Sequence, residues 1–244
     1  MNYKKYDVLG VPLSEVSLEK LVHDIRKRIL HSRQTTIFSV NPEKVILSQH
    51  DPELSEALNS ADILIPDGIG VILSLWLFQR QKRNRIPGID LFESLLSIAA
   101  QDKYPVFLLG ADPQVNKLAV KQMLGRYPGI IIAGSNHGYF KNEEAKCIID
   151  KINSCNASIL FVGMGSPRQE KWIHRYRHHI KATICMGVGG SFDVISGRVR
   201  RAPLCLRKMG LEWFTRLAKE PRRAERQVSL ARFVFAIIKR RLLL

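Results

Sequence analysis

In the stretch ADILIPDGIGVILSLW, residues 61–76, a single carboxylate, Asp67, stands between Pro66 and Gly68 inside an otherwise apolar run. A buried, unpaired carboxylate costs several kcal/mol or gives up its charge. An Asp in such a run therefore belongs at a water-facing edge or at a place where chemistry is done. Pro66 lacks a ladder N–H and closes the strand DILIP, while Gly68 and Gly70 permit a sharp turn into a helix through VILSLW. That puts Asp67 at the carboxyl end of a strand. Two roles stay open for it: a helix N-cap, or a reactive carboxylate.

Other chemistry-bearing residues follow strand-like runs in the same way. SVNPE, PDG, GADP, GMGSPRQEKW and GVGGSFDVISG each come directly after an apolar, β-branched segment. Small residues leading into a helix N-terminus make a phosphate site, because unpaired backbone N–H groups and the helix dipole face the ligand together. Gly110, Gly163, Gly165 and Gly189 are thus candidates for a nucleotide cradle; tight strand-to-helix turns alone are the other reading of these glycines. GMGSPR and GVGGSF both fail G-x-G-x-x-G at its last position, and no G-x-x-x-x-G-K-[ST] occurs, which argues against NAD and P-loop binding. No D-x-D is present to hold a divalent metal. His174 and His178 have the i, i+4 spacing of zinc ligands, but no third ligand and no H-E-x-x-H accompany them.

The elements that must position these residues alternate. TTIFSV (35–40), DILIP (62–66), YPVFLLG (104–110), GIIIAG (129–134), ASILFVGMG (157–165) and ATICMGVGG (182–190) read as strands buried on both faces, and helix-length segments occupy 113–126, 142–154 and 168–178. Strand–helix–strand spacing forces parallel pairing with right-handed crossovers. The expected fold is α/β, a mainly parallel Rossmann-like sheet with helices on both faces, whose ligands bind outside the carboxyl ends of the strands.

Composition separates two regions. The 244-residue chain carries a net charge of +16, yet residues 196–244 hold 14 Lys or Arg against three Glu. Residues 1–195 are accordingly expected to form the α/β catalytic domain, and 196–244 a basic, helical, amphipathic appendage. Four cysteines without a C-x-x-C, and an N-terminus without an apolar secretory core, suggest a reducing cytoplasm.

Taken in order, NPEKV, ADILIPDGIGV, RIPGIDL, LLGADP, GYF, VGMGSPRQEKW, GVGGSFDVISGRVRRAP and LEWFTRLAKEPRR resemble the WecG/TagA/CpsF bacterial glycosyltransferases over most of residues 35–226. The resemblance implies an inverting, metal-independent transferase, without cofactor, that moves a sugar from a UDP donor to undecaprenyl-diphosphate-linked N-acetylglucosamine at the cytoplasmic face of the membrane. The best-known activity of the family adds N-acetylmannosamine through a β-1,4 bond in wall teichoic acid synthesis; N-acetylmannosamine uronic acid and hexoses are donors of similar chains. By the same resemblance Asp67 is the general base and Ser39, where relatives often carry Thr, helps in the active site. An inverting transfer needs one base within hydrogen-bond reach of the acceptor hydroxyl. Asn41 joins the substrate-binding candidates. Arg85 either holds the acceptor's phosphate or sugar or is a solvated surface residue, and Asp193 either binds a sugar hydroxyl or caps a turn. Arg168 and Gln169 open a helix where the UDP phosphates or sugar hydroxyls would lie.

Leu230, Phe233, Val234, Ile237 and Ile238 fall on one helix face, and the apolar stretch there is far short of the roughly 20 residues that span a bilayer. Such a helix lies on an anionic membrane surface or packs against the core or a second copy in a homo-oligomer. Arg216, Arg223 and Arg226, spaced by seven and three, are expected to fold over the nucleotide site and stabilise the departing diphosphate, or else to contact lipid headgroups. Two other classes compete with the enzyme. A basic nucleic-acid-binding protein is disfavoured because the excess charge is confined to the tail and no RNP, zinc-finger or helix-turn-helix motif is present. A nucleotide-binding regulator without turnover is the other.

Overall fold

A computed structural model describes residues 3–79, 85–208 and 224–242. The chain opens with an antiparallel hairpin, β1 (Lys5–Val8) and β2 (Val11–Ser14), turning at Leu9 and Gly10, both at positive φ. Helix α1 (Leu18–Leu30) leads into β3 (Thr35–Val40), α2 (Pro42–Ser48), α3 (Pro52–Asn59), β4 (Ile63–Pro66), α4 (Ile69–Gln79) and α5 (Gly88–Gln101). Then follow β5 (Val106–Gly110), α6 (Pro113–Arg126), β6 (Ile132–Asn136), α7 (Ala145–Ser154), β7 (Ile159–Gly163), α8 (Arg168–Tyr176), β8 (Ile184–Gly187), α9 (Ser191–Ile195), α10 (Leu204–Lys208) and α11 (Ala224–Leu242).

Three helices start in the same way. Asn41, Asp51 and Asp112 cap α2, α3 and α6, their side chains accepting from the N–H groups of Lys44, Leu54 and Gln114, and each is followed by Pro at the first helical position. The cap satisfies an orphan donor and the proline supplies the required φ where no N–H is needed. Asx-Pro is thus the switch from strand or loop to helix in SVNPE, HDPE and GADP.

The six main strands form one sheet, parallel throughout as the alternating pattern leads one to expect, in the order β4-β3-β8-β7-β5-β6. Both faces are covered. Phe38, Val40, Leu64, Leu109, Leu160 and Val162 pack toward the side of α2, α3, α4, α7 and α8, while Ile37, Ile63, Ile65, Leu108, Phe161 and Met186 pack toward α1, α5, α6 and α9. Strands buried on both faces need apolar residues at every position, hence their continuous runs in the sequence. The β1–β2 hairpin is an addition to the expected strands: at four residues each, its strands are too short to show a clear alternating pattern. Strand β6 begins at Ile132, later than GIIIAG suggests: Gly129 turns at φ +85, Ile131 is exposed, and a register shift lies between Val106 and Phe107.

Helix α11, within the basic tail, packs on this core. Phe233 and Ile237 of α11 are buried in the same cluster as α2 and α4, while Val228, Val234, Phe235 and Ile238 are exposed. Among the described residues no helix is long and apolar enough to cross a membrane. Arg216 and Arg223 lie outside the described residues, and of Arg226 only its place in α11 is described.

Candidate functional site

The carboxyl ends of β4, β3, β8, β7 and β5 form a continuous row, and the candidate residues stand along it. At one end the backbone N–H of Asp67 donates to the carbonyl of Val40 (2.8 Å), which extends the β3–β4 ladder one step past Pro66. The Asp67 side chain then reaches the first turn of α5, where its Oδ2 accepts from the N–H of Gly88 at 3.1 Å. Helix α5 begins after Pro87, which offers no side-chain cap. A carboxylate at a helix N-terminus is favourably placed, since orphan N–H groups and the dipole both face it. Of the two roles left open for Asp67, the cap-like contact is thus made to α5, across the site.

Ser39 meets Asp67 at the same point. A Cβ on Gly88 would stand 3.0 Å from Ser39 Oγ and 3.6 Å from Asp67 Oδ2, so both oxygens converge on the bare backbone of Gly88. Gly88, within RIPGIDL, is required by a close approach of three segments, which no local pattern announces. Both Ser39 and Asp67 are half-buried. Arg85, also half-buried, precedes Ile86, whose N–H donates to the carbonyl of Pro66 (3.0 Å), so it lies alongside the Asp67 turn. Asn41 is the next residue of the β3 end, and its Oδ1 is engaged in capping α2.

The glycines divide. Gly110 and Gly163 are buried, and a Cβ on Gly110 would overlap the backbone of Gly163; one on Gly163 would meet the Phe192 ring at 2.8 Å. Gly165 and Gly189 have positive φ, +78 and +54, and open space where a Cβ would be. Gln169, only 2 % exposed, holds the second of these loops: its Oε1 accepts from the N–H of Gly189 (2.9 Å) and its Nε2 donates to Glu170 (2.9 Å). Arg168 is exposed, with its guanidinium over the Phe140 ring and donating to the Phe140 carbonyl at 3.3 Å. Asp193, half-buried, lies in the first turn of α9 just beyond the Gly189 loop.

A buried ion pair with no local signal in the sequence links the β3 end of this row to α8, beside the loop after β8. Lys44 of α2 donates through Nζ to the carbonyl of Ser39 (2.6 Å) and to Glu170 Oε1 of α8 (2.7 Å); Lys44 is 5 % exposed and Glu170 fully buried. The two residues are 126 positions apart, and their trace in the sequence is that each lies within a motif that carries the family resemblance, NPEKV and SPRQEKW. His174, by contrast, is occupied away from the site, its Nδ1 at 2.9 Å from Ser60 Oγ and its Nε2 at 3.6 Å from Glu56.

What the row offers chemically is a carboxylate and a hydroxyl at the β4–β3 end and positive-φ glycines in the neighbouring loops after β8 and β7, an arrangement compatible with group transfer from a phosphorylated donor. Comparison with known proteins agrees. The model of the "Glycosyl transferase WecG/TagA/CpsF family" matches residues 6–244. A Bacillus subtilis (strain 168) N-acetylglucosaminyldiphosphoundecaprenol N-acetyl-beta-D-mannosaminyltransferase is 35% identical over 231 residues, 94% of this chain and 90% of its own. The protein of that name from Bacillus spizizenii is 40% identical over 203 residues, 83% of this chain and 78% of its own. A third, from Staphylococcus aureus (strain MW2), is 34% identical over 240 residues, 98% and 94% of the two chains. With a family match over nearly its whole length and relatives of this identity and coverage, the chain belongs to the WecG/TagA/CpsF family and is a glycosyltransferase.

Proposed function

We propose that this enzyme transfers N-acetylmannosamine from UDP-N-acetylmannosamine to undecaprenyl-diphosphate-linked N-acetylglucosamine, with inversion and a β-1,4 linkage, as a step of wall teichoic acid or related surface-polymer synthesis. The relatives' shared name supports the acceptor and the sugar. The single observation that carries the chemistry is the convergence of Asp67 Oδ2 and Ser39 Oγ on Gly88.

In this mechanism Asp67 accepts the proton of the acceptor hydroxyl as its oxygen bonds to the donor's C1. The C1–O bond to the diphosphate breaks from the opposite face, and UDP leaves with the electron pair. Ser39 orients the acceptor hydroxyl. The Gly165 and Gly189 loops hold the diphosphate with backbone N–H groups. Fixed arginine charge from the tail, Arg216, Arg223 and Arg226, takes the place of a divalent metal, consistent with the missing D-x-D.

The enzyme works as a peripheral protein on the inner membrane face. Helix α11 supports that reading: it is anchored by Phe233 and Ile237 and exposes Val234, Phe235 and Ile238 beside Arg232, Lys239 and Arg241. Exposed apolar residues flanked by cations suit an anionic leaflet.

The test is turnover on a panel of UDP-sugars with a soluble lipid-diphosphate-N-acetylglucosamine analogue, with and without EDTA. UDP-N-acetylmannosamine is expected to be the preferred donor, with activity surviving chelation. Preference for another donor, or loss on chelation restored by magnesium, would overturn that part of the reading. Because α11 belongs to the core, replacing Arg216, Arg223 and Arg226 by Ala tests the tail more cleanly than truncation, and turnover of the soluble acceptor should be abolished.

A further inference from the structure

We propose that Lys44 and Glu170 are positioning residues, and that their buried ion pair sets the base-bearing end of the site in register with the loop that receives the donor diphosphate. The inference rests on the functional reading above and concerns the same site.

Its ground is a continuous chain of contacts. From the β3 end it runs from the Ser39 carbonyl to Lys44 Nζ (2.6 Å), on to Glu170 Oε1 (2.7 Å), from there to Gln169 Nε2 (2.9 Å), and through Gln169 Oε1 to the N–H of Gly189 (2.9 Å). Its first member is the main chain of Ser39, whose side chain meets Asp67 at Gly88; its last is the open loop after β8. Gly187 makes room for it, since a Cβ there would stand 2.9 Å from Gln169 Nε2. One path of hydrogen bonds thus ties α2 and β3 to α8 and the Gly189 loop, beneath the row of candidate residues.

A stability role explains this arrangement poorly. Taking a lysine and a glutamate out of water costs more than their attraction commonly returns, and well-packed apolar replacements of buried ion pairs are often neutral or stabilising. The pair is also incompletely satisfied, since Glu170 Oε2 is buried and has no hydrogen-bond partner among the described residues. What an ion pair supplies and an apolar contact does not is direction: Lys44 aims one donor at one carbonyl and another at one carboxylate oxygen. A transfer step depends steeply on the relative placement of acceptor and donor, so a small slip between the two ends lowers turnover while leaving each binding surface intact.

The experiment compares wild type with the double variant Lys44→Met, Glu170→Leu, which removes both charges and keeps volume. Measured are Tm, affinity for UDP, and kcat and donor KM with the soluble acceptor. The expected result is a Tm close to wild type, UDP affinity and KM within about threefold, and kcat lowered about tenfold or more. A folded double variant with wild-type kcat overturns the proposal, and so does a loss confined to UDP affinity. Should the double variant not fold, Glu170→Gln decides by the same criterion, since it keeps the shape and removes only the charge. Wild-type enzyme inactive on UDP-N-acetylmannosamine would instead count against the functional reading, which separates the two failures.

Discussion

Gly110 and Gly163 stand beside Gly165 and Gly189 at the carboxyl ends of neighbouring strands, yet the two pairs do opposite work. The first pair lets backbones touch: a methyl on Gly110 would occupy the space of the Gly163 carbonyl. The second pair has positive φ and nothing within reach of an added carbon. The same residue type therefore marks packing in one place and access in the other. The proposed nucleotide cradle therefore rests on the loops after β7 and β8, where an added carbon would meet nothing.

Substitution breaks this comparison open. Gly110→Ala combines overlap with main chain and a φ of +134 that L residues rarely adopt. Overpacking and backbone strain each cost about 1–3 kcal/mol, so the variant should lose about 3 kcal/mol or more. In a chain of this size that lowers Tm by about 6–12 °C. A thermal melt matching wild type would show that the β5–β7 contact gives way easily.

Asp67→Asn probes the end of the row built from side chains. It keeps the acceptor for the Gly88 N–H and removes the base, so turnover should fall about 100-fold or more, about 2.7 kcal/mol of barrier, with UDP affinity retained. Near-normal turnover would remove Asp67 from the role of base.

Gly189→Ala is the smaller counterpart of Gly110→Ala. With φ at +54 and open space, the alanine meets only left-handed strain, about 1 kcal/mol of stability. If the loop receives the diphosphate, donor KM should rise about three- to tenfold beyond what stability explains. An unchanged KM would reduce this loop to a turn.

How much of this was legible beforehand follows from how local each feature is. Strand β3 coincides with TTIFSV and α6 with 113–126, because continuous apolar runs and an Asx-Pro start are written in adjacent residues. Asp67 at a strand's carboxyl end was legible for the same reason. Strand order was not, because placing β8 between β3 and β7 is decided by long-range packing. Gly88 and the Lys44–Glu170 pair were invisible as partners, since the first is a three-way approach and the second joins residues brought together only by the sheet. Gln169 stands out in SPRQEKW as a donor-site candidate, but the hydrogen bond of its buried amide to the Gly189 loop is long-range and leaves no local signal.

The smallest expected effect comes from the residue after Glu170. Glu170 turns inward to Lys44, whereas Lys171 turns outward to Asp51 (2.7 Å) and Glu53 (3.4 Å), and Arg175 completes the cluster at 2.6 Å from Glu53. The hydrogen bond from Lys171 holds the Asp51 carboxyl below its ordinary range, and that from Arg175 does the same for Glu53. A carboxylate whose pKa is lower folded than unfolded adds stability that is complete above the unfolded value, about 3.9 for Asp and 4.3 for Glu, and is lost as pH falls through the folded value. The cations are shifted upward by the same contacts, so their share fails only in strong alkali. The α3–α8 contact should therefore be unaffected between pH 6 and 8, roughly, and weaken below about pH 4. These groups meet solvent and salt, so each pair contributes only about 0.2–1 kcal/mol. Lys171→Met should lower the urea midpoint slightly at neutral pH, less in high salt, and hardly at all in acid where the carboxylates are already protonated. An equal loss in acid and at neutral pH would mean that Lys171 acts through the packing of its methylene stem, and the contrast between inward Glu170 and outward Lys171 would then be one of burial alone.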